Sequence, residues 1–307
     1  MKRLIDCSAS ETAHMKKTEL LESIALSEGR VIVCETIGAV PPMLGNITNA
    51  EFAASMGADI LILNLFDAND PVIQALPGVE KSETIRELKR LTGRIVGVNL
   101  EPADPEFSSG TDENIWGLTD GRRATVSNAR KLCDMGADLI VLTGNPGIGV
   151  QNRAITESLK AISSELGDRI ILVAGKMHAS GILSEAGENL ITRRDVEEFV
   201  RAGADIILLP APGTVPGITV ESTRGLVQYA HSLGALTLTT IGTSQEGADR
   251  DTIRQIALWC KMAGTDLHHL GDSGYTGMAL PENIMAYSIA VKGVRHTYRR
   301  MARSVNR

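Results

Sequence analysis

Five side chains able to move protons or hold an ion stand at the ends of aliphatic runs in this chain: Glu35, Glu101, Lys176, His178 and His269. Lys176 closes the run IILVAGK, where its ammonium would lose part of its water shell. Desolvation lowers a lysine pKa, by up to ~3–5 units when burial is complete. A neutral amine attacks a carbonyl or takes up a proton, whereas a charged one clamps an anionic substrate. Glu35, Glu101, His178 and His269 are read as proton carriers beside it. Alternatively they form a set for one divalent metal, because carboxylate and imidazole suit zinc, manganese or iron. No HExxH or other close spacing joins them, so no cofactor is assigned and the metal stands as the alternative. Asn64, Asn99, Thr143 and Asn145 are the expected substrate hydrogen-bonding partners. A single strand-end Glu or Lys often serves only in a salt bridge. Burying five titratable groups at one mouth is costly without a purpose.

Two glycine-rich stretches suggest where an anion would sit. They read IGTSQEG (241–247) and LGDSGYTG (270–277). Glycine lets backbone N–H groups approach a phosphate, and serine and threonine add hydroxyl donors. Gly242, Thr243, Ser244, Gly271, Ser273 and Gly274 are therefore the expected phosphate-binding residues. Ordinary turn chemistry explains the same composition. Asp272 weighs against a bare phosphate and toward a sugar hydroxyl or a metal. The stretch GNPGIGVQN (144–152) is a weaker second cradle.

The elements that must carry these residues follow from a repeated phrase. MGADI (56–60), MGADL (135–139), AGADI (202–206) and AGTDL (263–267) each pair a helix end and Gly with Asp and an aliphatic run. Four other runs interleave with them: EGRVIVCE (28–35), TGRIVGVN (92–99), GDRIILVAGK (167–176) and GALTLTTIG (234–242). Each of the eight runs is followed by a loop and a helical pattern, which is the arithmetic of a (β/α)8 barrel. An open doubly wound sheet alternates in the same way and is the competing architecture. Loops after the strands are long and turns back into them are tiny, so the carboxyl ends of the strands form the working face. Alternation along each strand then sorts its side chains. Counting from the Asp of each even strand puts Asn64, Thr143 and His269 in the lumen and His268 outside. Counting from Arg30, Arg94 and Arg169 puts Glu35, Asn99, Glu101, Lys176 and His178 in the lumen.

One domain is expected, with an arm and extra helix over residues 1–27, the barrel over 28–299 and a basic tail over 300–307. An aromatic content of 3 % implies a small-residue aliphatic core. The net charge of −6 and the lack of a basic stripe argue against nucleic acid. The basic run 295–307 reads as a solvated helix end or a subunit contact in a homo-oligomer. Cys7, Cys34, Cys133 and Cys260 lack paired spacing and read as reduced thiols of a cytoplasmic protein. No run suggests a membrane span or a signal peptide.

With its GAD-led strands and glycine-rich seventh and eighth loops, the chain resembles the phosphate-binding (β/α)8 barrels over roughly residues 28–299. It is also similar to bacterial phosphonomutase-like or BtpA-like barrels, but lacks the Lys-Lys-Cys-Gly lid of phosphonomutases and isocitrate lyases. The resemblance implies an enzyme acting on a small phosphorylated carbonyl compound, a sugar phosphate or keto acid, by lyase (aldolase) or isomerase chemistry. A metal-dependent hydrolase and a barrel that binds a phosphorylated ligand without turnover are the alternatives.

Overall fold

A computed structural model describes residues 1–103, 117–144, 150–179 and 186–307. Eight parallel strands close into a barrel in sequence order. They are β1 (Val31–Ile37), β2 (Ile60–Asn64), β3 (Ile95–Leu100), β4 (Leu139–Leu142), β5 (Ile171–Gly175), β6 (Ile206–Pro210), β7 (Leu236–Ile241) and β8 (Leu267–Leu270). The pairing of Val31 with Leu267 closes the ring. Two short helices come first, α1 (Ala9–Ala13) and α2 (Lys17–Ala25). The surrounding helices are α3 (Asn49–Ser55), α4 (Thr84–Thr92), α5 (Val126–Met135), α6 (Asn152–Leu166), α7 (Arg193–Ala202), α8 (Val220–Ser232), α9 (Arg250–Ala263) and α10 (Pro281–Ala302). The last is broken at Gly293. The expected (β/α)8 barrel is therefore the fold, with a helix after each strand.

Local chemistry explains the helix boundaries. Threonine side chains at Thr48, Thr125, Thr192 and Thr219 accept a backbone N–H of the first turn, satisfying donors that the helix cannot. α5, α7 and α9 stop on Gly136, Gly203 and Gly264, whose φ values of 99°, 109° and 91° are the left-handed region.

The Asp that follows each of these glycines turns out to be structural. Asp59 Oδ2 accepts the Ile32 N–H at 2.8 Å and Asp138 Oδ2 that of Val96 at 2.9 Å. Asp205 and Asp266 take Leu172 and Thr237 in the same way, each at 2.8 Å. Every even strand is thus clamped to the odd strand before it. Each clamp carries a basic side chain: Lys292 on Asp59, Lys89 on Asp138, Lys17 on Asp205 and His231 on Asp266. Three of these come from the helix preceding the odd strand, if α10 is taken as preceding β1, while Lys17 comes from α2. The Asp59 clamp is fully buried, and Arg300 joins it at 2.9 Å. Burial raises the Asp59 pKa, but Lys292 and Arg300 outweigh it and hold the carboxyl below its ordinary value. Arg300 of the basic run, expected to be solvated, is therefore a buried partner of Asp59.

The lumen is aliphatic. Val31, Val33, Ile60, Ile62, Ile95, Val141, Val173, Leu208 and Leu238 pack together, and Leu4, Leu20 and Ile24 close the floor beneath them. The other parity, including Ile32, Leu61, Val96, Leu172 and Leu270, lies under the helices. β5 departs from the expected count. Its lumen residues are Ile171 and Val173, and Leu172 and Ala174 face outward. In β1 and β3 the arginine directly precedes the first lumen residue, whereas Ile170 intervenes after Arg169. Both faces of β5 are aliphatic, so nothing in the run itself marks the shift by one.

Candidate active site

The carboxyl ends of the strands open onto a cavity of about 310 Å³, a size suited to a small ligand. Glu35, Asn64, Asn99, Glu101, Thr143 and His178 line it, whereas His269, expected beside them, is not among the lining residues. Gly242 and Gly271 line it as well, together with Arg122, Met177, Glu246 and Asp272. Asn145 lies outside the described residues.

Each side chain is placed by a strand end or by the loop just beyond it. Glu35 sits on β1 and His269 on β8, with Nε2 3.3 Å from Glu35 Oε2. The contact is too poorly aligned for a hydrogen bond, and both ring nitrogens lack one. Asn99 Nδ2 donates to Asn64 Oδ1 at 2.9 Å, and Asn64 Nδ2 donates to Asp272 Oδ2 at 2.8 Å. This amide relay from β3 through β2 fixes the Asp272 carboxyl. The backbone N–H of Gly274 binds the other oxygen, Oδ1, at 2.9 Å. Burial, and then the Glu35 carboxylate, push Asp272 up to about 7. The same two causes raise Glu246, which is buried in the seventh loop. Glu101 is also raised by burial, although Arg122 opposes the shift, with Nε 3.1 Å from Glu101 Oε1. His178 is lowered by burial and then by the charge of Lys176, which favours neutral imidazole.

Lys176 is fully buried, but it is not among the residues lining the cavity. The β5 alternation gives the lumen parity to Met177, which packs against the lumen cluster and lines the cavity. The expected metal set does not assemble either. Glu35 meets His269 and Glu101 is engaged by Arg122, and among the described residues no three His, Cys, Asp or Glu side chains group so as to hold an ion.

The glycine-rich loops are acidic where an anion cradle was expected. Gly274 N–H is taken by Asp272, Thr243 Oγ1 donates to the Thr214 carbonyl at 2.8 Å, and Ser244 is exposed. The Ser273 hydroxyl is buried without a partner. A Cβ on Gly271 would fall 2.7 Å from the Ile241 carbonyl oxygen, so the glycine lets the seventh and eighth strand ends approach closely. His268, expected outside the lumen, contacts Tyr287 on α10 at 3.1 Å, and burial pushes it down to about 4.

Sequence reasoning missed Arg122, Met177 and Glu246. Glu246 lay inside a quoted motif, and its signal was an acid among turn residues. Arg122 follows the longest loop, where no strand parity applies. Met177 was displaced by the β5 count.

Residues 5–307 match the family described as "Domain of unknown function (DUF7916)". The chain belongs to that family. Over 89 residues it is 33 % identical to a Haemophilus influenzae protein named "Putative N-acetylmannosamine-6-phosphate 2-epimerase". That stretch is 29 % of this chain and 33 % of the relative, so the match spans a third of that protein's length. Among solved structures, an archaeal fructose 1,6-bisphosphate aldolase is similar with a TM-score of 0.56 at 12 % identity, covering 89 % of this chain and 99 % of that one. A Schiff-base-forming fructose-1,6-bisphosphate aldolase gives 0.55 at 12 % identity, covering 88 % and 99 %. At this identity the likeness establishes the barrel for the DUF7916 chain and nothing of its chemistry.

Proposed function

We propose that this DUF7916 protein is an enzyme of lyase or isomerase type. In this reading it moves protons beside the carbonyl of a small phosphorylated compound, a sugar phosphate or keto acid, at the mouth of the barrel. The observation that carries the reading is Asp272. Its carboxyl is oriented at both oxygens, faces the cavity, and is poised near neutrality, where a general acid–base group works best. Glu35, which lines the cavity, is backed by His269 at 3.3 Å, and the two form a second proton-handling pair. The phosphate lies away from the acidic loops and toward Arg122, a buried cation lining the cavity. The partial likeness to a sugar-phosphate epimerase supports the substrate class. Lys176 acts through its charge on His178. Its place outside the cavity lining gives the Schiff-base role no support. The likeness to phosphonomutase-like and BtpA-like barrels belongs to this proposal as an expectation from sequence.

The test is to incubate the protein with a panel of sugar phosphates and keto acids in deuterium oxide and follow exchange or cleavage by NMR. Exchange should occur with at least one compound and fall by about 10²–10⁴-fold in Asp272→Asn. Lys176→Arg, which cannot form a Schiff base, should keep most of the rate. A compound that binds without exchange or cleavage would leave the non-catalytic barrel standing. Loss of all turnover in Lys176→Arg, with borohydride trapping of the wild type, would return the chemistry to the lysine.

A further inference from the structure

Three buried oxygens at the mouth that can only accept lack a donor, beside an unpartnered Thr143 hydroxyl. Glu246 Oε2, Glu101 Oε2 and Asn99 Oδ1 are buried without a hydrogen-bond partner, and all three residues line the cavity. Glu246 is 4 % exposed and Asn99 is 6 % exposed, so bulk water does not satisfy them. A carboxylate has no proton to give. Asn99 donates one amide N–H to Asn64, while its carbonyl oxygen has no partner. A buried acceptor with no donor costs about 1–3 kcal/mol, and more when charged. The negative charge is also uneven around the rim. The Glu35 carboxylate lies close enough to oppose the ionisation of Glu246 and Asp272, and Glu246 opposes that of Asp272 as well. Arg122, a cation among the lining residues, is engaged by Glu101 just beyond β3.

We propose that the arc formed by Glu35, Glu246 and Asp272 is an ammonium subsite, and that the substrate is an amino-substituted sugar phosphate held by its free amine. This rests on the reading above and deepens it by naming the substrate class. A phosphate would meet like charge on this arc. A hydroxyl offers one donor and no charge, whereas a primary ammonium offers three donors and the compensating charge. A donor on the substrate satisfies Glu246 Oε2, and its phosphate occupies the Arg122 side, so the mouth orients a zwitterion by its two ends.

The experiment measures binding by calorimetry at pH 7 for matched pairs: glucosamine, galactosamine and mannosamine 6-phosphates against glucose, galactose and mannose 6-phosphates. In at least one pair the amine should bind about ten-fold more tightly, a difference of one charge-assisted contact. Glu246→Gln should remove that preference while leaving the hydroxyl sugar's affinity within about three-fold. Glu35→Gln serves as the second variant if Glu246→Gln melts early. Equal or tighter binding of the hydroxyl sugars, or a preference that survives both substitutions, overturns the subsite and leaves the proposed function standing. Failure of all six sugar phosphates to bind overturns the subsite and the sugar-phosphate reading together, and absence of exchange with the keto acids overturns the proposed function as a whole.

Discussion

At the scale of single residues, Asp272 ties the site to pH. Its carboxyl titrates near 7 in the fold, against roughly 4 in an unfolded chain. A raised carboxyl pKa means that its favourable contribution is fully present below about pH 4 and is lost as pH rises through about 7. Asp272→Asn removes the penalty of the ionised form. The variant should therefore be more stable than wild type at pH 8 by about 1–2 kcal/mol, a figure reduced from the full shift because the group is partly exposed through the cavity. The difference should vanish near pH 4. Thermal melts followed by circular dichroism across that range measure it, and a variant no more stable at pH 8 would show the Asp272 charge to be well solvated. The gain in stability should accompany a loss of activity, as is common for groups held in a costly state for chemistry.

Elements explain what could be read in advance and what could not. The alternation of helix ends with aliphatic runs, the long loops on one face and the even-strand parity were all legible, because backbone chemistry imposes them. That parity placed Asn64, Thr143 and His269. β5 was not legible, because a strand covered on both faces by aliphatic residues carries no mark of which side is which. Glu246 and Asp272 belong to loops, whose side chains are aimed by hydrogen bonds made across the barrel. The GAD motif itself was legible as a strand signal, but its acid clamps the neighbouring strand and takes no part in the mouth. The helix-ending glycines give a graded test. A Cβ on Gly203 would fall 2.0 Å from Ser163 Oγ, whereas one on Gly264 meets only Val227 Cγ1 at 3.7 Å. Gly264→Ala should cost about 1–2 kcal/mol for the left-handed backbone alone. Gly203→Ala should cost more, by about 1–3 kcal/mol for the added overpacking. Urea denaturation of the two variants ranks them, and equal costs would mean that Ser163 moves aside freely.

For the molecule as a whole, the clamps differ in burial and so should differ in energy. Asp59 and Lys292 are completely inaccessible, while His231 beside Asp266 has a side chain 40 % exposed. Asp59→Asn leaves Lys292 and Arg300 with an uncompensated buried charge, and should cost about 3–5 kcal/mol. Asp266→Asn loses a half-solvated partner and should cost about 1–2 kcal/mol, mostly through its bonds to Thr237. Equilibrium unfolding at pH 7 gives both figures, and the reverse order would contradict the burial argument. No described helix is long and apolar enough to cross a membrane.

The side-chain clamps join β1 to β2, β3 to β4, β5 to β6 and β7 to β8, and the other four seams are held by the ladder and helix packing. A strand pair that answers its own buried acid, largely with a basic side chain from the helix ahead of it, asks little of the next pair beyond shape. Such a piece can be copied in tandem until the sheet meets itself, and the four aspartates stand where the copies would repeat. The floor of this barrel is thus four-fold periodic in its chemistry, while the mouth shows no such echo and presents different side chains at each strand pair.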